Sequence, residues 1–129
     1  MAFTAWANEA IYEEGDTVIF DGVVSNIGNH YNPSNSTFTC PINGVYAFFS
    51  ALASQVGYYM TADIMHNSDD LTTTVGDEAG LIQGSNFAVI LCNQGDTVFI
   101  QAEFSDDHRL FGDDQRKYST FSGFLLYNV

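Results

Sequence analysis

Thr37-Phe38-Thr39-Cys40-Pro41-Ile42-Asn43-Gly44-Val45-Tyr46-Ala47-Phe48-Phe49-Ser50-Ala51-Leu52 is the stretch whose reading decides the fold. Its two flanks, Thr37 to Cys40 and Val45 to Leu52, are rich in the β-branched and aromatic residues that fit a pleated, half-buried surface. Between them Pro41-Ile42-Asn43-Gly44 ends in Asn-Gly, the strongest short turn signal, so a hairpin-like corner is expected there.

The same unit recurs in both directions. Upstream, Ala2 to Ala7 and Thr17 to Phe20 read as strands, with Glu14-Gly15-Asp16 as the turn before the second. Downstream, Tyr58 to His66 alternates weakly, Leu71 to Val75 is rich in Thr and Val, and Phe87 to Cys92 is continuously apolar. Asn93-Gln94-Gly95-Asp96 is another turn. Thr97 to Phe104 then alternates Val98, Ile100, Ala102 and Phe104 against Thr97, Gln101 and Glu103, with Phe99 as the exception, which suits a sheet with one wetter face. Ser119 to Tyr127 closes the chain as a final strand. No helical stripe of ten or more residues intervenes, so about eight to ten short strands predict a sandwich or jelly roll and not a βαβ fold.

Composition narrows the class. A chain of 129 residues, 46% apolar and 15% charged, supports one domain with its own core and excludes disorder. The longest apolar run is strand-sized, far below the roughly 20 residues of a spanning helix, so no membrane span is expected. Sixteen Asp and Glu face three Lys and Arg, for a net charge of −13. Nucleic acid is therefore excluded as a partner, because affinity for a phosphate backbone comes from Lys and Arg displacing counterions. Cations or basic partners fit better, although acidity also serves simply to keep a surface solvated.

Met1 is followed by Ala-Phe-Thr-Ala-Trp with no apolar leader, so no secretion signal is visible and the chain reads as a mature domain. Asn35-Ser36-Thr37 is a candidate glycosylation sequon in a turn-rich stretch, which suits a surface loop of a secreted protein. Cys40 and Cys92 match no metal or redox spacing. Buried reduced thiols are the first expectation and a disulfide between them the second.

Phe20, Asn26, Tyr31, Phe38, Gly44, Tyr46 and Phe48 fall at the intervals of a known signature, and its last aromatic is replaced by Ser50 beside Phe49. The final segment Tyr118-Ser119-Thr120-Phe121-Ser122-Gly123-Phe124-Leu125-Leu126-Tyr127 matches the same family's last strand almost residue for residue. On these residues the chain resembles the globular domain of complement C1q, a branch of the tumour necrosis factor-like jelly rolls. Asn26-Ile27-Gly28-Asn29-His30 and Lys117-Tyr118-Ser119-Thr120-Phe121 are similar to the cerebellin branch and to stalkless members. The resemblance implies that residues 1–129 form one C1q-like domain, a ten-stranded antiparallel β-sandwich with jelly-roll topology. No Gly-X-Y array accompanies it, so no collagen-like stalk is part of this chain.

Phe20, Tyr31, Phe38, Tyr46, Phe48, Phe121, Phe124 and Tyr127, with Asn26, are expected in the core or in contacts between subunits, because large aromatics dominate burial in a small sandwich. Gly44 and Gly123 are expected where a side chain would clash, the first in a turn and the second in a tightly packed strand. The family assembles about a three-fold axis, so the resemblance implies a homotrimer, whose three times −13 must be offset by apolar interface, bound cations or both. Calcium is the candidate cation. Its expected place is the loop carrying Ser105, Asp106, Asp107, Asp113 and Asp114, where some relatives bind it. Arg109, Arg116 and Lys117 can pair with these carboxylates instead, which leaves an ordinary acidic loop as the competing reading. Asp69-Asp70 and Asp77-Glu78 are weaker candidates.

Three functions are compatible with these features. The leading one is a secreted trimeric recognition module that binds polysaccharide, lipopolysaccharide or sialylated glycan through avidity, in innate-immune pattern recognition, with Trp6, Tyr58 or Tyr59 available to stack on sugar rings. The second is a receptor-binding signalling ligand of the cerebellin or adipokine kind, and the third an acidic calcium-binding matrix protein. An enzyme is not expected, since His30, His66 and His108 stand in separate segments without nucleophile or metal-ligand spacing.

Overall fold

The computed structural model describes residues 1–76, 83–104 and 106–129. Asp77-Glu78 and Ser105 lie outside the described residues. The strands in chain order are β1 (Ala2–Trp6), β2 (Ala10–Tyr12), β3 (Gly22–Ile27), β4 (Tyr31–Asn32), β5 (Thr37–Thr39), β6 (Gly44–Ala53), β7 (Met60–His66), β8 (Asp69–Gly76), β9 (Gln83–Cys92), β10 (Thr97–Ala102), β11 (His108–Leu110) and β12 (Thr120–Asn128). They form two five-stranded sheets, β3-β1-β12-β6-β9 and β4-β5-β10-β7-β8, and a two-stranded ribbon of β2 and β11. Every pairing between strands is antiparallel. The two main sheets thus supply the ten strands of the expected jelly-roll sandwich. No helix among the described residues is long and apolar enough to cross a membrane.

Period-two alternation turns one side of each strand inward, and the inward aromatics interlock. Phe3 stacks on Tyr31 with ring centroids 4.5 Å apart and meets Phe121 edge-on at 4.9 Å, while Phe38 bridges to Tyr46 and Phe48 at 5.9 and 5.6 Å. Burial pushes the Tyr31 phenol up to about 12, so it stays protonated and donates to the Phe20 carbonyl at 2.6 Å. Asn26 acts as a backbone surrogate. Its amide donates to the Tyr31 carbonyl at 2.7 Å and its oxygen accepts from the Tyr31 amide at 3.1 Å, which closes a turn through the left-handed Gly28 and Asn29. Phe20, Tyr31, Phe38, Tyr46, Phe48 and Phe121 are all buried in this core, and Asn26 braces a turn at its edge.

Gly123 faces inward in β12, where a Cβ would stand 2.6 Å from the Phe48 ring and 2.7 Å from that of Phe3. Gly44 is also crowded, by Leu125 and the Tyr127 carbonyl, but it begins strand β6 and is not part of a turn. The hairpin expected at Pro41–Gly44 is instead a crossover, since β5 and β6 belong to different sheets. The Tyr46 hydroxyl holds that corner by donating to the Ile42 carbonyl at 2.8 Å.

Thr17–Phe20 is not a strand. Thr17 makes one bridge to Gln101, but the Ile19 amide goes to the Tyr12 hydroxyl and the Phe20 amide to Ser36 Oγ, so side chains satisfy donors that a ladder would have used. Phe104 also departs from the expected alternation. Its φ of 78° takes it out of the strand and leaves it 75% exposed.

Candidate functional site

The outer face of the β3-β1-β12-β6-β9 sheet is the first candidate. In β6, Tyr46, Phe48 and Leu52 fill the core, which turns Val45, Ala47 and Phe49 outward. Register sets Phe49 opposite Phe87, Ala47 opposite both Val89 and Phe124, and Val45 opposite Leu91 and Tyr127. Phe87, Leu91 and Tyr127 are each close to 60% exposed, and Phe49 and Phe124 somewhat less. Of the residues expected in core or subunit contacts, Phe124 and Tyr127 thus lie on this outer face and outside the core. A shallow apolar hollow of about 270 Å³ lies among Phe49, Phe87, Val89, Phe124 and Leu126. In a chain with a net charge of −13, none of the five strands of this sheet contains a single Asp, Glu, Lys or Arg.

A polar cleft of about 670 Å³ occupies the end of the sandwich where the chain termini lie. It is lined by the β3–β4 turn with Asn29 and His30, by Asn32 and Pro33, and by Pro41 and Gln94 from the other sheet-to-sheet connections. No carboxylate, Lys or Arg lines it. Asn35 is exposed in the adjoining β4–β5 turn, where its side-chain oxygen accepts from the Thr37 amide at 3.1 Å.

At the opposite end, three of the four candidate calcium carboxylates are engaged locally, and Asp114 is held through its backbone carbonyl. Asp106 accepts from the Glu14 amide at 3.0 Å, and Asp107 pairs with Arg109 at 2.9 Å. Asp113 Oδ1 accepts the amides of Gln115 and Arg116 at 2.9 and 2.8 Å, and the Asp114 carbonyl takes the Lys117 ammonium at 2.5 Å. Glu13, which the sequence reading did not single out, shares a hydrogen bond with Asp106. Its pKa is raised by desolvation and then by the Asp106 charge. Trp6 and Tyr58 carry cations on their rings, Lys117 at 5.3 Å and Arg109 at 4.0 Å, while Tyr59 is 47% exposed.

His108 is a buried, satisfied histidine. Its Nδ1 accepts from the Thr61 amide at 3.3 Å and its Nε2 reaches the Glu103 carbonyl at 2.6 Å. His66 is different, because it joins a group that spacing along the chain does not show. Its Nε2, Cys92 Sγ and an Asp96 carboxylate oxygen all lie within 4.8 Å of one another, and they are the one such group of three or more found among the described residues. Cys40 and Cys92 are both free and buried. Interaction with the Cys92 thiol, and then burial, raises the Cys40 pKa, while interaction with Cys40 lowers that of Cys92. The signal that brings the group together is strand pairing, since His66 lies opposite Val98 and Asp96 sits just before β10.

Two antiparallel five-stranded sheets around an aromatic core, one of them with an uncharged outer face, define a jelly-roll sandwich. Comparison with known proteins specifies the family. The family model described as the C1q domain matches residues 2–126. Mouse (Mus musculus) complement C1q tumor necrosis factor-related protein 7 is 32% identical over 127 residues, covering 98% of this chain and 44% of that protein. Human (Homo sapiens) complement C1q tumor necrosis factor-related protein 2 is 29% identical over the same length, with the same coverage. The chain thus spans less than half the length of the curated relatives it matches. Among solved structures, the globular domain of zebrafish complement 1qA protein superposes with a TM-score of 0.79 at 20% identity, over 99% of this chain and 98% of that one. Murine APRIL gives 0.74 at 12% identity over 97% and 98%. The chain belongs to the C1q domain family.

Proposed function

We propose that the chain is a secreted homotrimeric recognition module that binds repeated ligands on surfaces, in the manner of innate-immune pattern recognition. The observation that carries the reading is the charge-free outer face of the β3-β1-β12-β6-β9 sheet. Exposed apolar patches of this extent mark interaction sites, and only a surface with no charge to desolvate can be buried against copies that each carry −13. Three copies then display three polar clefts, and weak contacts to a repetitive surface gain avidity.

The cleft chemistry ranks the ligands. Asn29, Asn32, Gln94 and His30 offer donors and acceptors without charge, which suits sugar hydroxyls. Lipopolysaccharide and sialylated glycans are anionic and meet the repulsion of the whole assembly, so neutral polysaccharide is the preferred class. Trp6, at the end of β1, and Tyr58, in the β6–β7 turn, are each half-buried and already hold a cation, so they are weak platforms for sugar stacking. Calcium belongs to the reading as counter-ion of the acidic end around Asp106, Asp107, Asp113, Asp114 and Glu13.

A labelled trimer on a glycan array, with calcium and then with chelator, tests this. Binding to neutral polysaccharide that Asn32→Ala and Gln94→Ala weaken supports the cleft, and a blank array removes it. The second reading, a receptor-binding signalling ligand, is favoured by the tumour necrosis factor-related proteins among the relatives. A blank array together with saturable binding to a cell-surface protein would establish it.

A further inference from the structure

We propose that His66, Cys92 and Asp96 form a zinc site, with water in the fourth position, that ties the two sheets together at the end of the sandwich bearing the termini. The three ligand atoms, a ring nitrogen of His66, Cys92 Sγ and an Asp96 carboxylate oxygen, already lie within 4.8 Å of one another. Tetrahedral zinc with nitrogen or oxygen at about 2.0–2.1 Å and sulfur at about 2.3 Å sets neighbouring ligand atoms about 3.3–3.8 Å apart, so a small shift completes the geometry.

The backbone holds these side chains in place before any ion arrives. The Cys40 amide donates to the Asp96 carbonyl at 2.8 Å, and the Gly95 amide returns to the Cys40 carbonyl at 2.8 Å. The Asn67 amide donates to the Thr97 carbonyl at 2.8 Å, which fixes His66 beside Asp96. Cys92 ends β9 in one sheet, while His66 ends β7 in the other and Cys40 follows β5 there. His66 and Asp96 are each 19% exposed in their side chains, which leaves an approach from solvent to thiols that are otherwise buried.

Charge favours the ion as well. With Asp96 ionised and the Cys92 thiol protonated the group carries one negative charge; zinc bound to the Cys92 thiolate and the carboxylate is neutral. Binding releases the Cys92 thiol proton to solvent, moves no electrons, and requires His66 to be neutral with its proton on Nδ1. It replaces the 2.8 Å contact between His66 Nε2 and Asp96 Oδ2 by two bonds to the metal. Two thiols buried side by side also suit a disulfide. A disulfide, however, has no use for an imidazole and a carboxylate converging on the Cys92 sulfur, and zinc uses all three.

The test uses the whole chain, kept reduced and stripped with chelator, then titrated with cobalt(II) and with zinc chloride. Cobalt is expected to give the intense ligand-field and near-ultraviolet charge-transfer bands of a tetrahedral thiolate site, and zinc to displace it at one equivalent per chain and raise the melting temperature. Cys92→Ser is expected to abolish the charge-transfer band, and His66→Gln, a half-buried position that preserves folding, to lower zinc affinity more than about tenfold. Circular dichroism of each variant separates loss of a ligand from loss of the fold. Absence of a charge-transfer band in the reduced protein, or zinc affinity unchanged by His66→Gln in a folded variant, overturns the proposal. So does a Cys40–Cys92 disulfide in protein purified from the secreting cell without added reductant.

Discussion

Placing a carboxylate on the outer sheet face should dissolve the assembly and leave the subunit folded, and Phe87→Asp is the sharpest version. Phe87 is 59% exposed and opposes Phe49 across the β6–β9 ladder. A phenyl side chain presents about 200 Å², so about 120 Å² awaits burial, worth about 3 kcal/mol per subunit at about 25 cal/mol per Å². The three-fold assembly counts that loss three times, about 9 kcal/mol, before the cost of three unpaired buried carboxylates is added. The isolated subunit loses little, because the residue already faces water. Light scattering coupled to size exclusion should therefore move the mass from three times 14.2 kDa to one, while far-ultraviolet circular dichroism keeps its β signature. The same substitution at Val56, 69% exposed in the β6–β7 turn, should leave the trimer intact. A Phe87→Asp protein that is still trimeric at micromolar concentration would refute the assignment of this face.

Other substitutions test the interior and the charge balance. Gly123→Ala puts a methyl group 2.6 Å from the Phe48 ring and should cost about 1–3 kcal/mol by urea denaturation, with the unfolding slope unchanged. Asn26→Ala strips both hydrogen bonds from the Tyr31 backbone and should cost a similar amount, about 1–3 kcal/mol, read from the same curves. The Glu103 pKa is raised, by desolvation first and then by Asp63, Glu14 and Asp70. Between its unfolded and folded values the native state binds the extra proton, so stability falls as pH rises through that window. Glu103→Gln should therefore stabilise the protein at pH 7, and the gain should vanish as pH falls to about 4, followed by thermal melts across that range.

The extent to which the chain could be read in advance follows from where its hydrogen bonds go. Long strands such as β6, β9, β10 and β12 pair along their length, so their β-branched and aromatic runs mark them without coordinates, and β10 shows its alternation of core and surface as well. Thr17–Phe20 has the same composition but surrenders its donors to Tyr12 and Ser36, partners that no local pattern announces. Gly22–Ile27 escaped notice for the opposite reason: it pairs with β1 across a register shift, and its Gly, Ser and Asn weaken the strand pattern. Pro41–Gly44 shows that a turn dipeptide reports a change of direction and not whether the next strand stays in the same sheet. The group around Cys92 was invisible for a geometric reason. Cys92 and Asp96 flank one turn, but His66 joins them only through the ladder between β7 and β10, whereas metal motifs legible in sequence depend on a single turn or helix.

The distribution of charge links these features to function more tightly than the fold does. A sandwich needs only its inner faces to be apolar, and one sheet here obeys that minimum: β7 and β8 carry Asp63, Asp69 and Asp70. The other sheet is uncharged on both faces, although its outer side would tolerate any solvated residue if it remained in water. Such a surface exposes an isolated subunit to aggregation, and its edge strand β9, with Phe87, Val89 and Leu91 outward, is the kind of edge that a monomer blunts with Lys or Pro. Covering by identical copies resolves the aggregation hazard. In the proposed trimer it would bury the face and turn the acidic remainder to the outside of the particle, where mutual repulsion keeps trimers apart.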